Sequence, residues 1–198
     1  DLDNVDETVH TIPADDHVQN FSFCEKDGKL YYRKDSVMEE WKGNKTAEER
    51  IRGLIKVRDA VKELIEAQVE NIDDEGLKQY QEVLNTEYDT YTKKYGLLSS
   101  VGNRNAFKED ANYPLLLSLE NLDDDGNLVS KADLFTKRTI SRYEPVTSCE
   151  TSNEAMILSL NEKAQIDLEY MSQLCGKSEE TMIEDLKGII YQDPKTKK

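Results

Sequence analysis

The sequence predicts an α+β fold that is mainly α, and three observations carry that prediction. Apolar side chains recur at helical spacing through residues 50–96, with one polar break in the middle. Two short segments, one on each side of that run, alternate apolar and polar residues around Asp-Gly turns. After residue 150, cap residues and glycines cut the chain into short helices. The expected architecture is a long antiparallel helical hairpin with short β-hairpins and a C-terminal helix-turn-helix-like subdomain. Its expected boundaries are a loose acidic leader over 1–17, a body over 18–145, a C-terminal helical subdomain over 146–194 and a tail over 195–198.

The leader is acidic and poor in apolar residues, which predicts little packed structure. Residues 18–25 and 29–34 alternate around Lys26, Asp27 and Gly28 and read as a β-hairpin, with Phe21, Phe23, Leu30 and Tyr32 as its buried face. Thr46 and Glu49 make a capping box that should start the first long helix. Ile51, Leu54, Ile55, Arg58, Val61, Leu64, Ile65, Gln68 and Val69 form its stripe. Basic residues come early in this helix and acidic ones late, opposing the helix dipole, so packing has to hold it.

Asp73 or Asp74 should cap a second helix, whose Leu77, Tyr80, Leu84, Tyr88, Tyr91 and Tyr95 make a stripe ending at Gly96. With few basic neighbours, the tyrosines read as a helix seam with phenol tips reaching water rather than as a base-stacking surface. Residues 97–112 read as a long loop, and Pro114 opens a short buried helix over 115–120. A second hairpin turns at Asp123–Asn127 and returns as a strand over 128–135. Thr151 or Ser152, Asp167 and Ser178 are then successive helix caps, Gly176 and Gly188 are breaks, and residues 189–192 form a short strand.

Composition limits the function. Of 198 residues, 37% are hydrophobic and 34% charged, which predicts a thin core under much surface. The net charge is −15; residues 1–40 hold 4 basic and 11 acidic side chains, whereas residues 41–70 hold 7 and 6. Such acidity opposes phosphate and argues against a main nonspecific grip on DNA. Cys24, Cys149 and Cys175 fit neither a disulfide framework nor a zinc motif. No apolar run matches a membrane span and no signal segment opens the chain, so a cytoplasmic setting is expected.

Candidate chemistry is sparse. His10 and His17 flank Asp15 and Asp16, but in the acidic leader, where nothing holds a ligand geometry. Asn121, Asp123, Asp125 and Gly126 fall at EF-hand positions, but Ala132 stands where the bidentate glutamate belongs. No catalytic residue, cofactor site or metal site is assigned. The candidate nucleic-acid contacts are Lys131, Lys137, Arg138 and Arg142, with Arg104 and Lys108 in the predicted loop. Arg50, Arg52, Lys56 and Arg58 could join them; the competing reading is solvated charge paired with abundant carboxylates. The third C-terminal helix offers Glu179, Glu180, Glu184 and Asp185 rather than base-reading side chains, which favours docking over DNA reading.

A resemblance rests on several strings. RIRGLIKVRDAVKELIEAQ followed by YDTYTKKYGLLSS resembles a region of very large proteins of bacterial conjugative and integrative elements, which fuse an adenine-specific DNA methyltransferase to a Swi/Snf-type helicase. NFSFCEKDGKLYYRKDSVM, SLENLDDDGNLVSKADLFTKRTI and YMSQLCGKSEETMIEDLKGIIYQDP occur in the same order as in that family, so the likeness spans roughly residues 18 to 194. It implies a connector between the methyltransferase and helicase parts, with those domains as partners and DNA reached through the parent protein. A Walker loop, an NPPY-type tetrapeptide and a glycine-rich cofactor loop are all missing from the sequence. The start at Asp1 without an initiator methionine also fits a piece of a longer chain.

Three function classes follow. The leading expectation is a noncatalytic connector or scaffold that positions catalytic parts acting on DNA. An acidic DNA mimic that occupies a restriction or repair enzyme requires carboxylates on one face at phosphate-like spacing. A DNA-contacting accessory domain requires salt-sensitive binding to duplex or forked DNA.

Overall fold

The computed structural model describes residues 9–191. They hold seven α-helices and two small antiparallel sheets. The chain divides into two compact units between Arg142 and Tyr143, slightly ahead of the expected boundary at 145.

Unit 1 opens with a four-stranded sheet of β1 (Thr11–Pro13), β2 (Phe23–Lys26), β3 (Lys29–Lys34) and β4 (Val37–Glu40), in the order β1-β4-β3-β2. The β2–β3 turn is Asp27-Gly28, both at positive φ as a two-residue hairpin requires. Two expectations need correction here. Residues 11–13 of the supposed loose leader form an edge strand, with Ile12 opposite Met38 and Pro13 where no inner ladder needs its missing N–H; residues 1–8 lie outside the described residues. Phe21 is not in the core: it precedes β2 in a left-handed conformation, with its side chain about half exposed.

Both faces of the sheet are covered. Phe23 and Leu30 face the helices, while Cys24, Tyr31 and Met38 pack under Ile12, Ala14 and Val18. That second layer is hidden in the sequence, because a strand covered on both faces loses its alternation.

Helix α1 (Lys45–Val69) is capped by Asn44, whose side chain accepts from the Ala47 N–H at 2.8 Å, so Thr46 lies inside the helix rather than at its cap. It buries Ile51, Leu54, Ile55, Val57, Val61 and Leu64, each contributing about 1.5–3 kcal/mol of transfer free energy. Arg58 and Gln68 are buried with them, whereas Val69 is exposed. Helix α2 (Asp74–Tyr95) follows after a short turn, capped by Asp73 at one end and by Gly96, at φ 78°, at the other. Both helices carry acid in the first turn, but only α2 also has basic residues in its last, Lys93 and Lys94, in favour of the helix dipole.

The start of α1 lies beside the end of α2. Lys94 and Tyr95 bond Glu49 at 3.0 and 2.8 Å, and Gly53 sits against the Tyr91 ring. A Cβ on Gly53 would come within 2.5 Å of Tyr91 Cδ2, so glycine is what permits this approach.

The stretch expected as a long loop contains helix α3 (Val101–Phe107). Phe107 is fully buried and stacks on Phe23 at 5.4 Å between ring centres, a tertiary contact that overrides the weak local helix propensity of VGNRNAF. Helix α4 (Tyr113–Leu117) begins around Pro114 and buries Leu116, with Leu119 buried just beyond it; Leu117 is exposed, so the leucines are not uniformly buried. Strands β5 (Glu120–Leu122) and β6 (Leu128–Lys131) form the second hairpin. The returning strand stops at Lys131 rather than Phe135, because a 3-10 turn at Asp133–Phe135 carries Leu134 and Phe135 into the core, Phe135 edge-on to Tyr88.

Unit 2 contains α5 (Ser152–Lys163), α6 (Leu168–Cys175) and α7 (Glu179–Asp185). Thr151 and Glu154 form a reciprocal capping box, Asp167 accepts from the Tyr170 N–H, and Ser178 accepts from the Thr181 N–H. A small core of Ala155, Met171, Met182 and Leu186 joins the three helices. In place of the expected strand over 189–192 there is one bridge between Lys187 and Ile190 around Gly188; Gln192 and the expected tail lie outside the described residues.

Candidate nucleic-acid interface

Phosphate binding by unit 1 requires cations that the fold has left uncommitted, so each candidate is followed to its partner. Lys131, at the end of β6, lies 2.6 Å from Asp89 and 2.9 Å from the Asn85 side-chain amide oxygen, with its ammonium over the Tyr88 and Phe135 rings. Arg138 bonds Asp74 and the Ile72 carbonyl, and its Nη1 is buried without a hydrogen-bond partner rather than turned to solvent. Lys137 pairs with Asp133 at 3.2 Å, but both side chains are largely exposed and the pair is weak. Arg142 is exposed at the end of unit 1. Arg104 is exposed on α3, within electrostatic reach of the Tyr113 hydroxyl, whereas Lys131 and Arg138 are held by Asn85, Asp89 and Asp74 on α2. The candidates are therefore brought together only in part.

The basic start of α1 is mostly structural. Arg50 bonds Asn103 at 2.6 Å and stacks on Tyr95, while Arg52 bridges Glu48 and Glu25. Arg58 lines a cleft of about 370 Å³ with Gln19, Lys62 and Asn112, but its guanidinium is occupied by Asp110, Asp59 and the Phe23 carbonyl. Lys56 and Lys108 are exposed.

The buried polar residues carry more of the design than the sequence reveals. Asp110, with no exposed side-chain surface, accepts from Arg58 and from the Phe23 and Asn112 N–H groups. Glu120 accepts from the Tyr88 hydroxyl at 3.0 Å and the Leu98 N–H at 2.7 Å. Asn103 accepts from Tyr91 and donates to the Leu97 carbonyl. The Tyr88 and Tyr91 phenols thus end on buried partners rather than in water, and burial pushes both hydroxyls well above the usual range, Tyr88 also through the Glu120 carboxylate. A stacking surface for bases is excluded at these two rings, which are themselves core.

The Asp123 turn is tied to itself. Its carboxylate accepts from the Asp125 and Asn127 N–H groups, and these bonds, Asn127 first, hold the Asp123 carboxyl below the usual range. Among the described residues, no cluster of three or more His, Cys, Asp or Glu side chains is arranged to hold a metal. No described helix is long and apolar enough to cross a membrane.

In unit 2, α6, the Gly176 turn and α7 have the order of a helix-turn-helix. Residues 148–198 match the family described as a probable helicase, winged helix domain. No curated protein and no solved structure matches the chain.

In unit 2, α7 is the helix that follows the turn. Its exposed side chains include Glu179, Glu180 and Glu184, which repel phosphate. Asp185 is held by Ser152 at 2.6 Å and Lys177 at 3.0 Å, and the Ser152 bond first, then Lys177, keeps its carboxyl below the usual range. The surface of unit 1 intersperses both signs, as in Lys34–Glu39, Lys94–Glu49 and Lys137–Asp133. That mixture counts against a DNA mimic, which needs one sign across a face.

Proposed function

We propose that this chain is a noncatalytic accessory region of a helicase-related protein that processes DNA, unit 1 acting as a connecting body and unit 2 as a winged-helix docking module. The observation that carries the reading is the coincidence of the helicase winged-helix match at residues 148–198 with a unit that has its own three-helix core. The ordered strings that resemble methyltransferase–helicase fusion proteins of mobile elements support the finer version, in which the region joins those two enzymes in a bacterial cytoplasm. The acidic outer face of α7 favours a protein partner over base reading.

Deleting this region from the full-length protein tests the connector role: loss of coupling between its DNA-dependent activities, with each activity retained separately, is expected. Unchanged coupling would overturn it. The second reading, a DNA-contacting accessory domain, is favoured by the same match and by the exposed Lys56, Arg104 and Arg142. Salt-sensitive anisotropy changes with labelled forked DNA would establish it, and no binding at low salt would remove it.

A further inference from the structure

Cys149 and Cys175 are far apart in sequence, yet unit 2 brings them together. The Cys149 N–H donates to the Leu174 carbonyl at 3.0 Å, laying the backbone ahead of α5 along the last turn of α6. The two side chains are close enough for the Cys175 thiol to act on the Cys149 thiol. Both sulfurs border the core of Ala155, Met171, Met182 and Leu186, and both remain partly exposed. Cys24 lies apart in unit 1, buried with its sulfur 3.5 Å from that of Met38.

We propose that Cys149 and Cys175 are a redox modification site that closes to a reversible disulfide under a disulfide oxidant of the oxidised-glutathione class. One cysteine thiolate attacks oxidised glutathione, forming a mixed disulfide and releasing one glutathione thiol. The second cysteine then attacks the protein sulfur of that mixed disulfide, forming the Cys149–Cys175 bond and releasing the other glutathione. The two cysteines lose two electrons and two protons, and oxidised glutathione takes them up. Burial, then the Cys175 thiol, pushes the Cys149 thiol up to about 11, so little of Cys149 is thiolate at neutral pH.

The bond encloses α5 and α6 in one covalent loop. It ties the segment arriving from unit 1 to the end of the helix that precedes the turn, and it restricts the unfolded chain more than the folded one. The inference is independent of what unit 2 binds.

The test equilibrates the full chain, native and in concentrated urea, over a series of reduced-to-oxidised glutathione ratios, then traps free thiols and maps the peptides by mass spectrometry. The expected product joins the Cys149 and Cys175 peptides and leaves Cys24 free. Its midpoint, as [GSH]²/[GSSG], should lie at least about tenfold higher for the native chain than for the unfolded one, reporting the fold's preorganisation. Cys149→Ser and Cys175→Ser should each abolish the cross-link while keeping the native far-ultraviolet spectrum. Equal midpoints, no native cross-link where the unfolded chain closes, or a cross-link that survives in Cys149→Ser would each overturn the proposal.

Discussion

Arg58 on α1 donates to Asp110 at 2.8 Å, and that carboxylate also receives the Phe23 N–H at the start of β2. One buried ion pair therefore joins the first long helix, the first sheet and the segment after α3. Removing one partner strands the other in the core. Asp110→Ala is expected to cost about 3–5 kcal/mol, read by urea unfolding, and the double replacement Arg58→Met with Asp110→Leu should recover much of that loss.

Gly53 supplies a second, steric test. An alanine there gains helix propensity but drives its methyl into the Tyr91 ring. Gly53→Ala should destabilise by about 1–3 kcal/mol. Adding Tyr91→Leu should turn the same alanine neutral or favourable, and a denaturation cycle measures the sign change.

Glu120 accepts from three groups on two other segments. Glu120→Gln sets an amide N–H₂ against at least one of these donors. A loss of about 2 kcal/mol is expected in thermal or urea unfolding.

The buried tyrosines set an alkaline limit. Their folded hydroxyls titrate above the unfolded value of about 10, so their stabilising contribution is complete below that pH and is lost as pH rises beyond it. Each fully buried phenol should cost up to about 1.4 kcal/mol per pH unit in that window. Urea titrations across it should fall steeply for the native sequence and less so for Tyr88→Phe with Tyr91→Phe.

For DNA, the exposed and the committed cations should separate. Reversing Lys137 or Arg142 to glutamate should weaken any binding and reduce the salt slope by about one for each phosphate no longer neutralised. Lys131→Ala should instead lower stability through Asp89, Asn85 and the two rings it covers. Anisotropy and urea unfolding on the same variants distinguish the two effects.

What is legible in the sequence is local. Asp73, Gly96, Asp167 and Ser178 act within four residues of themselves, and each ends or begins a helix where its chemistry predicts. Asn44 is masked because Thr46 and Glu49 mimic the same signal two residues later. Helix α3 is unreadable for a different reason: Asn103 and Phe107 take their bonds and packing from Tyr91, Leu97 and Phe23, none of them adjacent in the chain. The candidate interface suffers likewise, since a lysine's charge is visible in the sequence but Asp89 waiting 42 residues earlier is not.

The segment that leaves unit 1 is fastened by side-chain amides. Gln68 accepts from the Thr139 and Ile140 N–H groups, and Gln81 donates to the Leu134 and Lys137 carbonyls. Tension applied at Arg142 would meet these bonds in succession, Ile140 first, rather than all at once. The exit from the unit is therefore a peeling junction, one that gives way stepwise under load while the helices beneath it hold their packing.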